Sequence, residues 1–108
     1  MKILNIHKII TLDQLVQLLH QKLNLLFKEQ RKNDTSFLIG NKDGAVEISQ
    51  PMLYEGFLFR IEIKGTEVWI TRSEHYVDDV NSLTLESILN TLFEELSGDK
   101  GVKIVLEG

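Results

Sequence analysis

The stretch from Phe57 to Thr71 constrains this chain more than any other. Phe57, Phe59, Ile61 and Ile63 alternate with Leu58, Arg60, Glu62 and Lys64. Beyond Gly65-Thr66, Glu67, Trp69 and Thr71 alternate with Val68 and Ile70. A two-residue period puts successive side chains on opposite faces, so the stretch reads as a β-hairpin with one apolar face. Gly65 supplies the positive φ of a two-residue turn. That register sets Lys64 opposite Glu67 and Ile63 opposite Val68. Moving the loop to Lys64-Gly65 would set Glu62 against Glu67, which is repulsive. The apolar face is predicted to be Phe57, Phe59, Ile61, Ile63, Val68 and Ile70. A lone hairpin cannot bury such a face in water, so other elements must cover it.

Two helical segments are available for that task. Leu12, Leu15, Val16, Leu19, Leu23, Leu26 and Phe27 recur at steps of three and four, predicting a helix over residues 12–30. Thr11 and Gln14 have the spacing of a capping box, and Ile10 and Leu15 that of a hydrophobic staple. A second helix is expected to open on a Thr84 cap, with Leu83 and Ile88 as its staple. Leu85, Ile88, Leu89, Leu92, Phe93 and Leu96 form its apolar face, and Gly98 ends it.

The remaining strands are shorter. Phe37–Gly40 and Ala45–Ser49 flank Asn41-Lys42-Asp43-Gly44, read as a four-residue loop that pairs Ile39 with Val46 and Phe37 with Ile48. Pro51 stops the second of these strands. Ile3–Ile6 reads as a strand, and Val102, Ile104 and Leu106 as another. The expected order is β-α-β-β-β-β-α-β in a single α+β domain spanning residues 1–108. Two single-stripe helices and a sheet with one apolar face bury most simply as a two-layer sandwich, a mainly antiparallel sheet with both helices on one face. The opposite sheet face is then free to meet water or a partner.

Charge and composition exclude several functions. No cysteine means no disulfide framework, thiolate metal site or cysteine nucleophile. No apolar run reaches the length of a membrane span, and the first ten residues lack the apolar core of a secretion signal. The expected location is cytoplasmic. Net charge is −4, unevenly spread. Residues 1–35 hold six bases against three acids, whereas residues 36–108 hold six bases against thirteen acids. Between Arg72 and Lys100 lie Glu74, Asp78, Asp79, Glu86, Glu94, Glu95 and Asp99 with no base. Such a segment repels phosphate backbones, so no nucleic acid is expected as a partner. A double-stranded-RNA-binding module would need a basic start to its second helix, and here that start is Leu83-Thr84-Leu85-Glu86.

Chemistry-bearing motifs are sparse. The seven glycines form no phosphate-binding loop. His7, His20 and His75 have no metal-ligand spacing, and Glu74, His75, Asp78 and Asp79 lack the glycine of a calcium loop. Ser73, His75 and Asp78 adjoin in sequence, but a triad is recognised by geometry and not by adjacency. No catalytic residue, metal or cofactor is assigned. Trp69 is the residue of greatest interest, because alternation places it beside Arg60, Glu62 and Thr71 on the polar face. Aromatic–arginine pairs are the usual composition of an interface hot spot. The expectation is a non-enzymatic module that binds another, possibly basic, protein: a small acidic regulator, inhibitor, or immunity- or phage-accessory-type protein. Its surface is expected to combine Trp69, Arg60, Glu62 and Thr71 with Glu74, Asp78 and Asp79 from the acidic 74–99 segment. The alternatives are a small-ligand-binding or enzymatic domain with a pocket between helices and sheet, and an acidic nucleic-acid mimic. A homodimer through the terminal strands or the outer sheet face is a further expectation.

Overall fold

The structure is a computed structural model that describes residues 1–32, 35–74 and 79–108. Its strands are β1 (Lys2–Asn5), β2 (Leu38–Lys42), β3 (Ala45–Ser49), β4 (Phe57–Lys64), β5 (Glu67–Arg72) and β6 (Lys103–Glu107). Its helices are α1 (Leu12–Arg31) and α2 (Val80–Ser97), with a 3-10 turn at Gly98–Lys100. The sheet runs β2-β3-β4-β5-β1-β6, and every neighbouring pair is antiparallel. The order of elements is the one the sequence predicts. The amino-terminal strand is nevertheless internal, held between β5 and β6.

One apolar cluster joins the layers. Leu15, Leu19, Leu23 and Phe27 of α1 and Leu85, Ile88, Leu89, Leu92 and Phe93 of α2 pack with Leu4, Val46, Ile48, Phe59, Ile61, Val68 and Ile70 of the sheet. Both helices therefore lie on one sheet face. The start of α1 is the predicted capping box: Gln14 N–H donates to Thr11 Oγ1 at 3.1 Å, and Thr11 N–H donates to Gln14 Oε1 at 2.8 Å.

Three local expectations change. First, α2 opens at Val80 with Asp79 as its cap, not at Thr84. Asp79 Oδ1 accepts from Ser82 N–H at 2.7 Å, whereas Thr84 Oγ1 only bonds back to Val80 O, and Leu83 is exposed. A carboxylate also meets the positive end of the helix dipole, an advantage a hydroxyl lacks. Second, the β2–β3 loop has two residues, not four. Asp43 and Gly44 both have positive φ (53° and 76°), as a type I′ turn requires. Ile39 consequently faces Ile48, and Val46 faces Asn41. Third, a bulge interrupts β3–β4, so that Phe59 faces Ile48 while Phe57 faces Ser49. Leu58 is the extra residue and is fully buried in the core cluster. Phe57 passes to the other face and is only half-buried. A bulge turns the side chains beyond it to the opposite side, and simple alternation cannot register that.

One turn of α1 holds the entry to β2. Phe37 N–H donates to Asn24 Oδ1 at 2.6 Å, and Asn24 Nδ2 donates to Phe37 O at 3.0 Å. The Asn24 amide thus supplies both partners that a neighbouring strand would give this residue. Asn24→Ala is expected to cost about 1–3 kcal/mol, because buried Phe37 then loses both backbone partners. Chemical denaturation measures this, and a midpoint equal to that of the parent would refute it.

Candidate interaction face

The sheet face away from the helices takes its side chains from alternate residues of each strand. Arg60, Glu62 and Lys64 come from β4 and Glu67, Trp69 and Thr71 from β5, as the hairpin register predicts. Glu62 lies opposite Trp69, and Thr71 lies opposite Arg60. Four of the seven sequence-assigned residues (Trp69, Arg60, Glu62 and Thr71) are thus gathered on one face.

The partners within that face differ from expectation. Trp69 and Arg60 do not pair. Arg60 Nη1 bonds Glu47 Oε2 on β3 at 2.9 Å and reaches Lys42 O at 3.4 Å. Trp69 pairs instead with Lys64, whose ammonium lies 4.5 Å from the ring centroid. Its indole Nε1–H donates to Glu67 Oε1 at 3.1 Å. The cause is the sheet diagonal: Lys64 faces Glu67, and Trp69 is two residues beyond Glu67 on the same strand. The ring is therefore half-buried and held in one orientation by two charged neighbours.

Two apolar features adjoin it. Ile3 of β1 lies opposite Trp69, and Leu106 of β6 lies opposite Ile3, so Trp69, Ile3 and Leu106 form a row across three strands. Leu106 is 48% exposed at the end of the row. On the other side, Phe57 enters this face through the bulge and lines a shallow depression with Thr71, Ser73 and Glu74. Phe57, Ile3 and Leu106 were not assigned from sequence. The bulge hides the first, and only strand pairing brings up the other two.

The acidic segment is placed elsewhere. Glu74 stands at the end of β5 beside the depression. Asp78 and His75 lie outside the described residues. Glu94 and Glu95 are exposed on α2, in the opposite layer, where Glu95 bonds Lys22 at 3.0 Å. Outer-face residues and α2 acids therefore do not form one continuous contact surface.

Asp79 has a structural task. Its Oδ2 accepts from the Tyr54 hydroxyl at 2.6 Å while Oδ1 caps α2. Burial pushes the Asp79 carboxyl up, but the bonds from Tyr54 and from the Ser82 and Asn81 backbone outweigh it and hold the group below the usual carboxylate range. Burial raises the Tyr54 hydroxyl, and the charge and hydrogen bond of Asp79 raise it further. A lowered acid contributes stability above its unfolded pKa and loses it as pH falls through the folded value. A raised phenol contributes below its unfolded pKa, near 10, and loses it as pH rises through the folded value. Tyr54→Phe is expected to cost about 1–2 kcal/mol near neutrality. The gap between parent and variant should narrow as pH drops through the carboxylate range. Melting curves from pH 3 to 7 check this, and a gap constant across that range would contradict it.

The terminal strands offer one free edge, because β1 is internal. Ile104, Val105 and Leu106 of β6 are each about half exposed. The β1–β6 ladder shifts register between Ile3 and Leu4, which makes Val105 the extra residue. Lys103 then sits on the outer face and Glu107 on the inner one. A regular antiparallel pair of β6 strands therefore cannot match Lys103 with Glu107, and a bulged edge resists such pairing.

Among the described residues, no three His, Asp or Glu side chains group so as to hold a metal ion, and no helix is long and apolar enough to cross a membrane. Comparison with protein-family models, with curated proteins and with solved structures found no match.

Proposed function

We propose that this chain is a non-enzymatic domain that binds another protein through the outer face of its sheet, with Trp69 at the centre. The observation that carries the reading is half-buried Trp69 and half-exposed Leu106 on either side of buried Ile3, with Phe57 farther along the same sheet face opposite both helices. Hot spots are enriched in tryptophan and are rimmed by polar groups that exclude water. Lys64 and Glu67 fix the indole before any partner arrives, which reduces the entropy lost on binding.

A protein suits this face better than nucleic acid. Glu47, Glu62, Glu67 and Glu74 on or beside it offset the bases Lys42, Arg60, Lys64, Lys103 and Arg72, so the face lacks the strong cationic excess that holds phosphates. The acids of α2 contribute only through the long-range field, which favours approach by a basic partner. The test is capture of a partner from the source cell by the parent chain and by Trp69→Ala. Equal capture by the two would overturn the reading.

A further inference from the structure

The sheet face covered by the helices should be apolar throughout, and at one end it is not. Lys2 lies opposite Ile70 on one side and Glu107 on the other, and Arg72 lies opposite Phe59. All three therefore belong to the face that α2 covers. Glu86 and Asn90 of α2 meet them around a cavity of about 200 Å³. Its floor is apolar: Phe59, Ile70 and Leu89 are each at most 5% exposed. Neither His20 nor any residue of the outer-face row lines it.

The charges decide what can enter. The charged side chains of the rim are two cations and two carboxylates. Lys2 Nζ donates to Asn90 Oδ1 at 3.3 Å, Arg72 Nη2 donates to Gly108 O at 3.2 Å, and Arg72 and Glu86 are partnered within the protein. Arg72 and Glu107 are exposed, so the rim stays in contact with water, and a ligand of one sign meets its own sign there as well as its counter-charge, which cancels part of the attraction. A ligand with both charges meets a counter-charge at each end, and its carboxylate can take the place of Asn90 Oδ1 on Lys2 and of Gly108 O on Arg72. The volume is that of about six or seven liquid waters, which suits a very small molecule and is below the range of drug-sized sites.

We propose that this cavity binds a small aliphatic zwitterion of the α-amino acid class. The carboxylate is received by Lys2 and Arg72, the ammonium by Glu86 and Glu107, and the aliphatic chain by Phe59, Ile70 and Leu89. The site lies on the helix side of the sheet and shares only Arg72 with the depression beside Phe57.

The test titrates the intact chain with leucine and with its two half-molecules, isovalerate and isopentylamine, by calorimetry and thermal shift. Leucine is expected to bind and raise the melting temperature, with each half-molecule at least about ten-fold weaker because it leaves charges unmatched. Lys2→Met and Glu107→Gln should each weaken leucine by about ten-fold or more, while Trp69→Ala leaves it unchanged. Amide shift mapping on the parent chain supplies a readout that needs no variant, with Lys2, Arg72, Asn90 and Glu107 expected to move. No heat and no thermal shift with leucine at about 10 mM, a weak affinity by any standard, would overturn the proposal. So would equal binding of the half-molecules, or shifts confined to other residues.

Discussion

Phe27→Ala is expected to lower unfolding stability by about 3–5 kcal/mol. Phe27 is fully buried near the end of α1, and its ring meets that of Phe37 edge-on, with centroids 4.7 Å apart at 79°. Truncation removes the transfer free energy of a phenyl group, leaves a cavity and deletes an aromatic pair worth about 0.5–1.5 kcal/mol beyond its area. The whole domain has about 5–15 kcal/mol to lose, so the melting temperature should fall by more than roughly 10 °C. Leu25→Ala on the same helix is the control. Leu25 is 58% exposed, and its truncation should change stability by no more than about 0.5 kcal/mol. Equal effects of the two would mean that this end of α1 is not packed as described. Asn24 and Phe27 hold the same residue, Phe37, so their substitutions should combine non-additively. A double-mutant cycle should return a coupling of at least about 0.5 kcal/mol.

The second large effect is on binding. Trp69→Ala should weaken partner capture by at least about 2 kcal/mol, close to thirty-fold in Kd. Stability is measured in parallel, because truncation also removes the cation–π contact, worth about 0.5–1 kcal/mol at an accessible site, the Glu67 bond and the half-buried ring beside Ile3. Capture compared where both chains are fully folded separates a binding role from a merely structural one. Phe57→Ala should weaken capture in the same direction, and reversing Glu94 in the helical layer should alter only the rate of approach. The nucleic-acid-mimic reading expects the reverse pattern. Binding would then depend on the α2 acids, ignore Trp69, and fall steeply between about 50 and 200 mM salt. Titrations of the parent, Trp69→Ala and Glu94→Lys at two salt concentrations distinguish these outcomes.

What could be read early and what could not follows from the range of each interaction. Helix α1, its capping box and the Gly65-Thr66 hairpin depend on residues within a few positions of each other, and all three are found where predicted. The Asp43-Gly44 turn was equally local. Asp-Gly is a strong two-residue turn signal, because both residues tolerate the positive φ that the turn requires. Asp79 was also a better cap candidate than Thr84. In contrast, Phe57 and Leu58 changed places through a bulge, whose cause lies in the fit of β3 against β4. The Arg60–Glu47 bond joins strands thirteen residues apart in sequence, so alternation along β4 could not anticipate it.

The sequence by itself determined the elements, their order, the division of the hairpin into an apolar and a polar face from Phe59 onward, and the position of Trp69 on the polar one. These follow from periodicity and from short-range turn and capping chemistry, which act within a few residues. Only the tertiary structure decided that β1 enters the sheet between β5 and β6, that Trp69 pairs with Lys64, and that the α2 acids lie in the opposite layer. It alone also brought Lys2, Arg72 and Glu107 together beneath α2. Such juxtapositions arise from packing between segments distant in sequence, and a one-dimensional pattern carries no record of which strands become neighbours.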